Sequence, residues 1–403
     1  MAHIFIMIVF IPLIKLNAMK NIGLALFIAL LLASCSQNTI DSNKAAFITY
    51  LGNDTLAVEQ FEKNGTEMNA KVILRSPRTT FTSYNLVLDN SGAIESMTAT
   101  EYSLEEGFGG KGTVVKTIER MGDSLLVEEA TPEGERTYSA PYEPGVLPFI
   151  DMVHWPYELA LENAAAAEGD SLDQKMLTGS RLSSFIIADI AADSMTIHHP
   201  FRGVMGVDVN EFGDLILLDA GLTTRKLKVH RKPSVNIEAI GNDFAAKDES
   251  GNPFGALSSA ETGEFSFKGA NFRVEYGSPK KRGRELFGGI VPWGERWRTG
   301  ANRATHFYTS ENLQIGDLEV PAGEYTLFTI PEEDGGTLMI NKQTGQNGQS
   351  YDADRDLGRV PMSISKKEDV TEAFTIDLEE TDTGGMLKLI WGETVFSVDF
   401  TIN

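Results

Sequence analysis

The chain has 403 residues, 42% hydrophobic and 23% charged, which is ordinary globular composition and enough for two or three domains of ~150 residues. The net charge is −22, and about −24 without the first 34 residues, which hold Lys15 and Lys20 and no acid; this argues against nucleic acid as a partner and against a peripheral grip on anionic lipid heads, since both need clustered Lys and Arg. The single cysteine, Cys35, excludes an internal disulfide and a cysteine zinc site.

Residues 19–35 read as an export signal. Lys20 is a positive start, residues 22–32 form an apolar run too short for a transmembrane helix of ~20 residues, and Leu32-Ala33-Ser34-Cys35 comes next. This ending resembles the lipobox of bacterial lipoproteins: a branched apolar residue, two small residues, then the cysteine whose sulfur takes the lipid. The resemblance implies a signal peptide over residues 1–34 and lipidation of Cys35; because a signal starting at Met19 is complete by itself, Met19 is the expected true start, the alternative being one long signal or a double-spanning anchor. Residues 35–44 become a polar tether, and the membrane a partner through the anchor. Two acyl chains hold a protein on a bilayer where one does not. Ser36 in place of aspartate points to the outer membrane, facing the periplasm.

Residues 45–232 alternate short apolar segments with turns. Strands are expected at 47–51 and 55–58 around Gly52-Asn53-Asp54, then across the Lys63-Asn64-Gly65-Thr66 hairpin, at 71–75, 84–88, 94–102, 114–118 and 124–127. Pro144, Pro148 and Pro156 break the run, and residues 157–168 are alanine-rich and read as a helix. Strands resume at 184–190, 195–199, 203–209, 215–218 and 224–229. The expectation is a curved antiparallel meander with one helix, in outline like half-barrels that wrap a helix. His198 and His199 are strand neighbours and face opposite sides, so they do not share a metal. Residues 106–112 are glycine-rich but lack P-loop spacing and read as a mobile hairpin loop.

Residues 233–260, with Pro233, Gly241-Asn242, Pro253 and Gly255, read as a linker. Residues 261–403 return to strand pattern at 306–308, 325–330, 337–340, 373–378, 386–391 and 394–402, which predicts an antiparallel β-sandwich. The fold class is therefore mainly all-β. This region carries Gly283-Arg284-Glu285-Leu286-Phe287-Gly288-Gly289, Trp297-Arg298-Thr299-Gly300-Ala301-Asn302, and Pro321-Ala322-Gly323-Glu324-Tyr325 running on to Pro331. These segments resemble the bacterial family catalogued as domain of unknown function 2911, over residues 254–403. The resemblance implies no reaction.

Arg284, Arg296 and Arg298 beside Trp293, Trp297 and Asn302 are a concentration of cations and flat rings unusual in so acidic a chain. Arginine grips carboxylate or phosphate with a planar fork, and tryptophan stacks. The candidate ligand-binding residues are Arg284, Trp293, Trp297, Arg298, Thr299, Asn302 and His306. The competing reading gives them structural work in a long loop. Asp352, Asp354 and Asp356 are spaced loosely like a calcium loop but lack its glycine and terminal glutamate. No nucleophile elbow, zinc motif or cofactor fingerprint is present, so no catalytic residue, metal or cofactor is assigned. The expected function is an envelope lipoprotein binding a small apolar, glycan or anionic ligand, or a partner protein. The alternatives are a hydrolase of envelope glycans or esters, which needs a carboxylate beside the arginines, and a structural spacer.

Overall fold

The computed structural model describes residues 43–403, so Cys35, the signal segment and most of the tether lie outside the described residues. Residues Ser42–Asn403 form one compact unit built on two sheets. The architecture is all-β, as the patterning predicts, with α1 (Trp155–Ala166) and α2 (Ile237–Glu249) as the two α-helices among the described residues. No described helix is long and apolar enough to cross a membrane.

The first sheet has fifteen strands. Lys44–Leu51 sits near its middle, and successive hairpins run outward from it to Gly134–Pro141. The chain then crosses through α1 to the far edge and works back, so that Lys228–Lys232 pairs with Lys44–Leu51 on its other side. Every neighbour is antiparallel except Leu147–Pro148 beside Ser171–Thr178. The strands Gly134–Pro141 and Arg181–Ala191 stand first and thirteenth in the order yet come into contact, so the sheet rolls over on itself. The roll encloses α1, whose first seven residues are all buried. Its start is apolar on all sides but for Glu158, and such a helix is stable only when surrounded in this way.

One carboxylate fixes α1 in place. Glu59 is fully buried on the inner face, on the same side of its strand as Phe61. Its oxygens accept from the backbone N–H of His154, at 2.9 and 3.0 Å, and of Trp155, at 2.9 Å, and lie 3.1 Å from His154 Nδ1. Helix N-terminal N–H groups have no partner within the helix, and negative charge is favoured there. One turn on, Glu158 meets Arg231 at 2.5 Å and accepts from Leu215 N–H at 3.2 Å.

Burial pushes the Glu158 carboxyl up to about 7, against the pull of Arg231. An unfolded glutamate loses its proton near 4.5, so the native state holds one more proton between about pH 4.5 and 7. The stability from this group is complete below pH 4.5 and is lost as pH rises towards 7. Measured against Glu158→Gln by urea unfolding, the wild type should lose ~2–3 kcal/mol across that window, and parallel stability curves would refute the assignment.

The stretch expected to be a linker contains α2, capped by Asn236, whose side chain accepts from Ala239 N–H at 3.1 Å. Phe244 and Ala245 lay it on the outer face of the first sheet, against Val58, Ile73 and Phe81. Gly241 is the contact point: a Cβ there would stand 2.4 Å from the Phe81 ring. The glycine-rich stretch is a short 3-10 turn, Gly107–Gly109, with the Phe108 ring 5.2 Å from Phe81 and 5.5 Å from Tyr102. His199 is buried and His198 exposed, as strand alternation requires.

The second sheet has nine strands, from Ser258–Phe267 to Gly384–Ile402. Phe272 and Phe400 lie on its second and seventh strands, which in a flat sheet would be about 24 Å apart. Their rings are 5.6 Å apart, so this sheet also curls over its core. The long strand Asp356–Glu380 breaks register against Gly384–Ile402 between Lys366 and Thr375, where it bends.

The two sheets are joined at Arg282. Its guanidinium is 4% exposed, pairs with Asp54 at 2.6 Å, donates to Phe254 O at 2.9 Å and lies over the Phe254 ring at 3.7 Å. Its own carbonyl accepts from Asn53 N–H at 2.9 Å. Gly52, at φ +63, allows that approach, because a Cβ there would sit 2.1 Å from the Arg282 oxygen.

Candidate functional site

Between the sheets lies a cleft of about 360 Å³. One wall is the turn after Leu215–Asp219, with Arg225 and Lys226, and Arg202 beside it. The Thr223 hydroxyl donates to Ala220 O at 2.8 Å and accepts from Arg225 N–H at 3.1 Å, which shapes the turn. The other wall is Arg284, Trp297, Arg298 and Asn302, with Trp391. Five cationic side chains thus line the cleft, and no Asp, Glu or His does.

These charges are only partly neutralised. Asp151, outside the lining, accepts from both Arg202 and Arg225 at 2.6 Å. Lys226 donates to Gly221 O at 3.0 Å, and Arg284 to the carbonyls of Lys281 and Lys280. Arg284 makes no ion pair among the described residues, and Arg298 makes neither an ion pair nor a hydrogen bond there. Burial, reinforced by Arg282, brings the Arg284 guanidinium down to about 10. Burial likewise lowers Arg298, and burial with the nearby Arg284 lowers Lys226. Glu372 and Asp54 oppose the shift at Arg284 and Glu295 that at Lys226, whereas Arg298 has no such partner; a bound anion would supply further counter-charge in this half-desolvated site.

The Trp297–Asn302 segment is held by its backbone. Trp297 and Thr329 exchange N–H···O bonds at 2.7 and 2.9 Å, and Thr299 and Asn302 take the left-handed backbone region at φ 53 and 63. The Trp297 indole donates to Gly300 O at 3.1 Å and stacks on Trp391, with centroids 6.0 Å apart. Both tryptophans border the cleft with their faces largely engaged in the core.

Four of the seven predicted binding residues, Arg284, Trp297, Arg298 and Asn302, therefore converge on one cleft. Three stand elsewhere. Trp293 stacks on Phe287 at 5.6 Å. Thr299 is fully buried and donates to the Thr329 hydroxyl at 3.2 Å. His306 is buried with Nδ1 donating to Ala304 O and Nε2 accepting from Gly345 N–H, both at 2.8 Å, so both ring nitrogens serve the loop. Arg296 lies over the Tyr351 ring at 4.0 Å. Asp352 and Asp356 bind their own turn, Asn341 and Arg359, and no set of three metal-ligating side chains gathers among the described residues. Arg202, Arg225 and Lys226 escaped sequence reasoning because they lie some sixty residues or more upstream of Arg284, and only folding brings the two stretches together.

Among curated proteins, none matches the chain. Of solved structures, a DUF1089 family protein from Pseudomonas aeruginosa is 12% identical, covers 41% of this chain and 90% of its own, and gives a TM-score of 0.30. A structure of botulinum neurotoxin type C, concerned with its interaction with two ganglioside molecules, is 9% identical, covers 87% of this chain and 84% of its own, and gives 0.10. Both scores are too low to relate the folds. Residues 258–400, nearly the whole second sheet and one wall of the cleft, match the family described as Protein of unknown function (DUF2911).

Proposed function

We propose that the chain is a lipid-anchored envelope protein that binds an anionic ligand, carrying phosphate or carboxylate, in the cleft between its sheets, without catalysing a reaction. The observation that carries this reading is a cleft with five cations and no carboxylate in a chain of net charge −22. An acidic protein that gathers only partly neutralised cations at one place offers them to an anion rather than to its own surface. The hydrolase alternative calls for a carboxylate at the arginines, and the lining holds none. The anchor rests on Cys35 and on the apolar run before it.

Calorimetric titration with inorganic phosphate tests the binding. Arg298→Ala is expected to weaken affinity at least tenfold, the size of a lost charge-assisted hydrogen bond of about 1.5–3 kcal/mol, and raised salt should weaken the wild type. Equal phosphate affinity in wild type and variant would remove the cleft from the account.

A further inference from the structure

The concave side of the first sheet holds a second space, of about 560 Å³, within the range of small-molecule sites. One side of it is apolar, formed by Met97, Ala99, Ile118, Leu177, Phe149 and Ile150, of which the first four are buried; Glu101, Lys116, Glu129 and Asp151 also line it. A constriction of about 20 Å³ leads away from it. The constriction shares Phe149 and Ile150 with the cavity, and Arg202, Thr223 and Arg225 with the cationic cleft. Asp151, which lines the cavity, holds the two arginines that line the cleft. The three spaces are therefore neighbours that share wall side chains.

Two further features lie on this line. His199 borders the constriction, is 4% exposed, and has its Nε2 buried without a partner among the described residues. At the other end, Leu222 lines the cleft and is 84% exposed, an apolar tip at a cationic mouth. A small inorganic anion makes use of neither the apolar side of the cavity nor the exposed leucine. A molecule with an acidic head and a hydrocarbon tail makes use of both.

We propose that cleft, constriction and cavity form one path for an acidic amphiphile. Its phosphate head lies among Arg284, Arg298 and Lys226, and its alkyl chain runs past Phe149 into the cavity. Phe149 is half-buried and is the side chain that must turn for the chain to pass. The proposal rests on the anion-binding reading of the cleft and adds a hydrocarbon tail to the anionic head.

The test is a titration of the full chain with n-alkyl phosphates from ethyl to decyl, below their micelle concentrations, beside inorganic phosphate. Affinity is expected to rise about threefold to fourfold per added methylene until the cavity fills, as burial of hydrocarbon requires. Arg298→Ala should lower every affinity and keep that increment. Ile150→Asp should abolish the increment, and Ala99→Leu, which fills the cavity without adding charge, should end it at a shorter chain. Binding of inorganic phosphate with no dependence on chain length overturns the path and leaves the anion cleft standing. Absence of binding by inorganic phosphate and every alkyl phosphate overturns both.

Discussion

Glu59→Ala is expected to be among the most destabilising single substitutions in this protein, at about 3–5 kcal/mol. The side chain is fully buried and its oxygens take the first N–H groups of α1 together with the His154 ring. Alanine leaves those donors inside the rolled sheet with no water to replace the lost oxygens, and each buried unsatisfied group costs about 1–3 kcal/mol. Because α1 fills the roll, loss of its anchor loosens the core around Trp155 and Leu161, not merely one helix end. Glu59→Gln retains one accepting oxygen and should cost less than half as much. Urea unfolding monitored by tryptophan fluorescence checks both. A Glu59→Ala loss under 1 kcal/mol would show that the helix is held by packing alone.

The second large effect belongs to Arg282. Arg282→Met keeps the length of the side chain and removes its charge, so the Phe254 carbonyl loses its donor and the contacts linking the two sheets lose their centre. A loss of about 2–4 kcal/mol is expected. Asp54 is 45% exposed and can turn to water, so Asp54→Asn should cost under ~1 kcal/mol. The contrast separates a latch acting through the buried guanidinium from a simple surface ion pair. Since Arg284 comes two residues later and lines the cleft, Arg282→Met should also weaken phosphate binding, whereas Asp54→Asn should not. Equal stability loss in both variants would refute the latch.

Much of the architecture was readable before folding. Alternation in segments such as Phe47–Leu51, and turns such as Lys63-Asn64-Gly65-Thr66, mark strands because a strand buried on one face must alternate. The break at Pro144–Pro156 and the alanines after Tyr157 mark α1. The second helix was hidden for a local reason. Gly241-Asn242-Asp243 has turn composition, yet Gly241 is there to let α2 meet the Phe81 ring, and no local rule distinguishes the two uses. Likewise, Glu59 reads as one more polar residue in an alternating strand until α1 arrives above it.

What the sequence alone determined is the all-β class, the helix in the meander, and the clustering of arginine and tryptophan from Arg284 to Asn302. Those come from periodicity and composition, which are local properties of a chain. Only the tertiary structure decided that Arg202, Arg225 and Lys226 complete the cluster while Trp293, Thr299 and His306 turn to structural work. The facing of distant turns depends on how the two sheets roll and dock at Arg282, through contacts between residues up to 228 positions apart. No window of sequence contains that information.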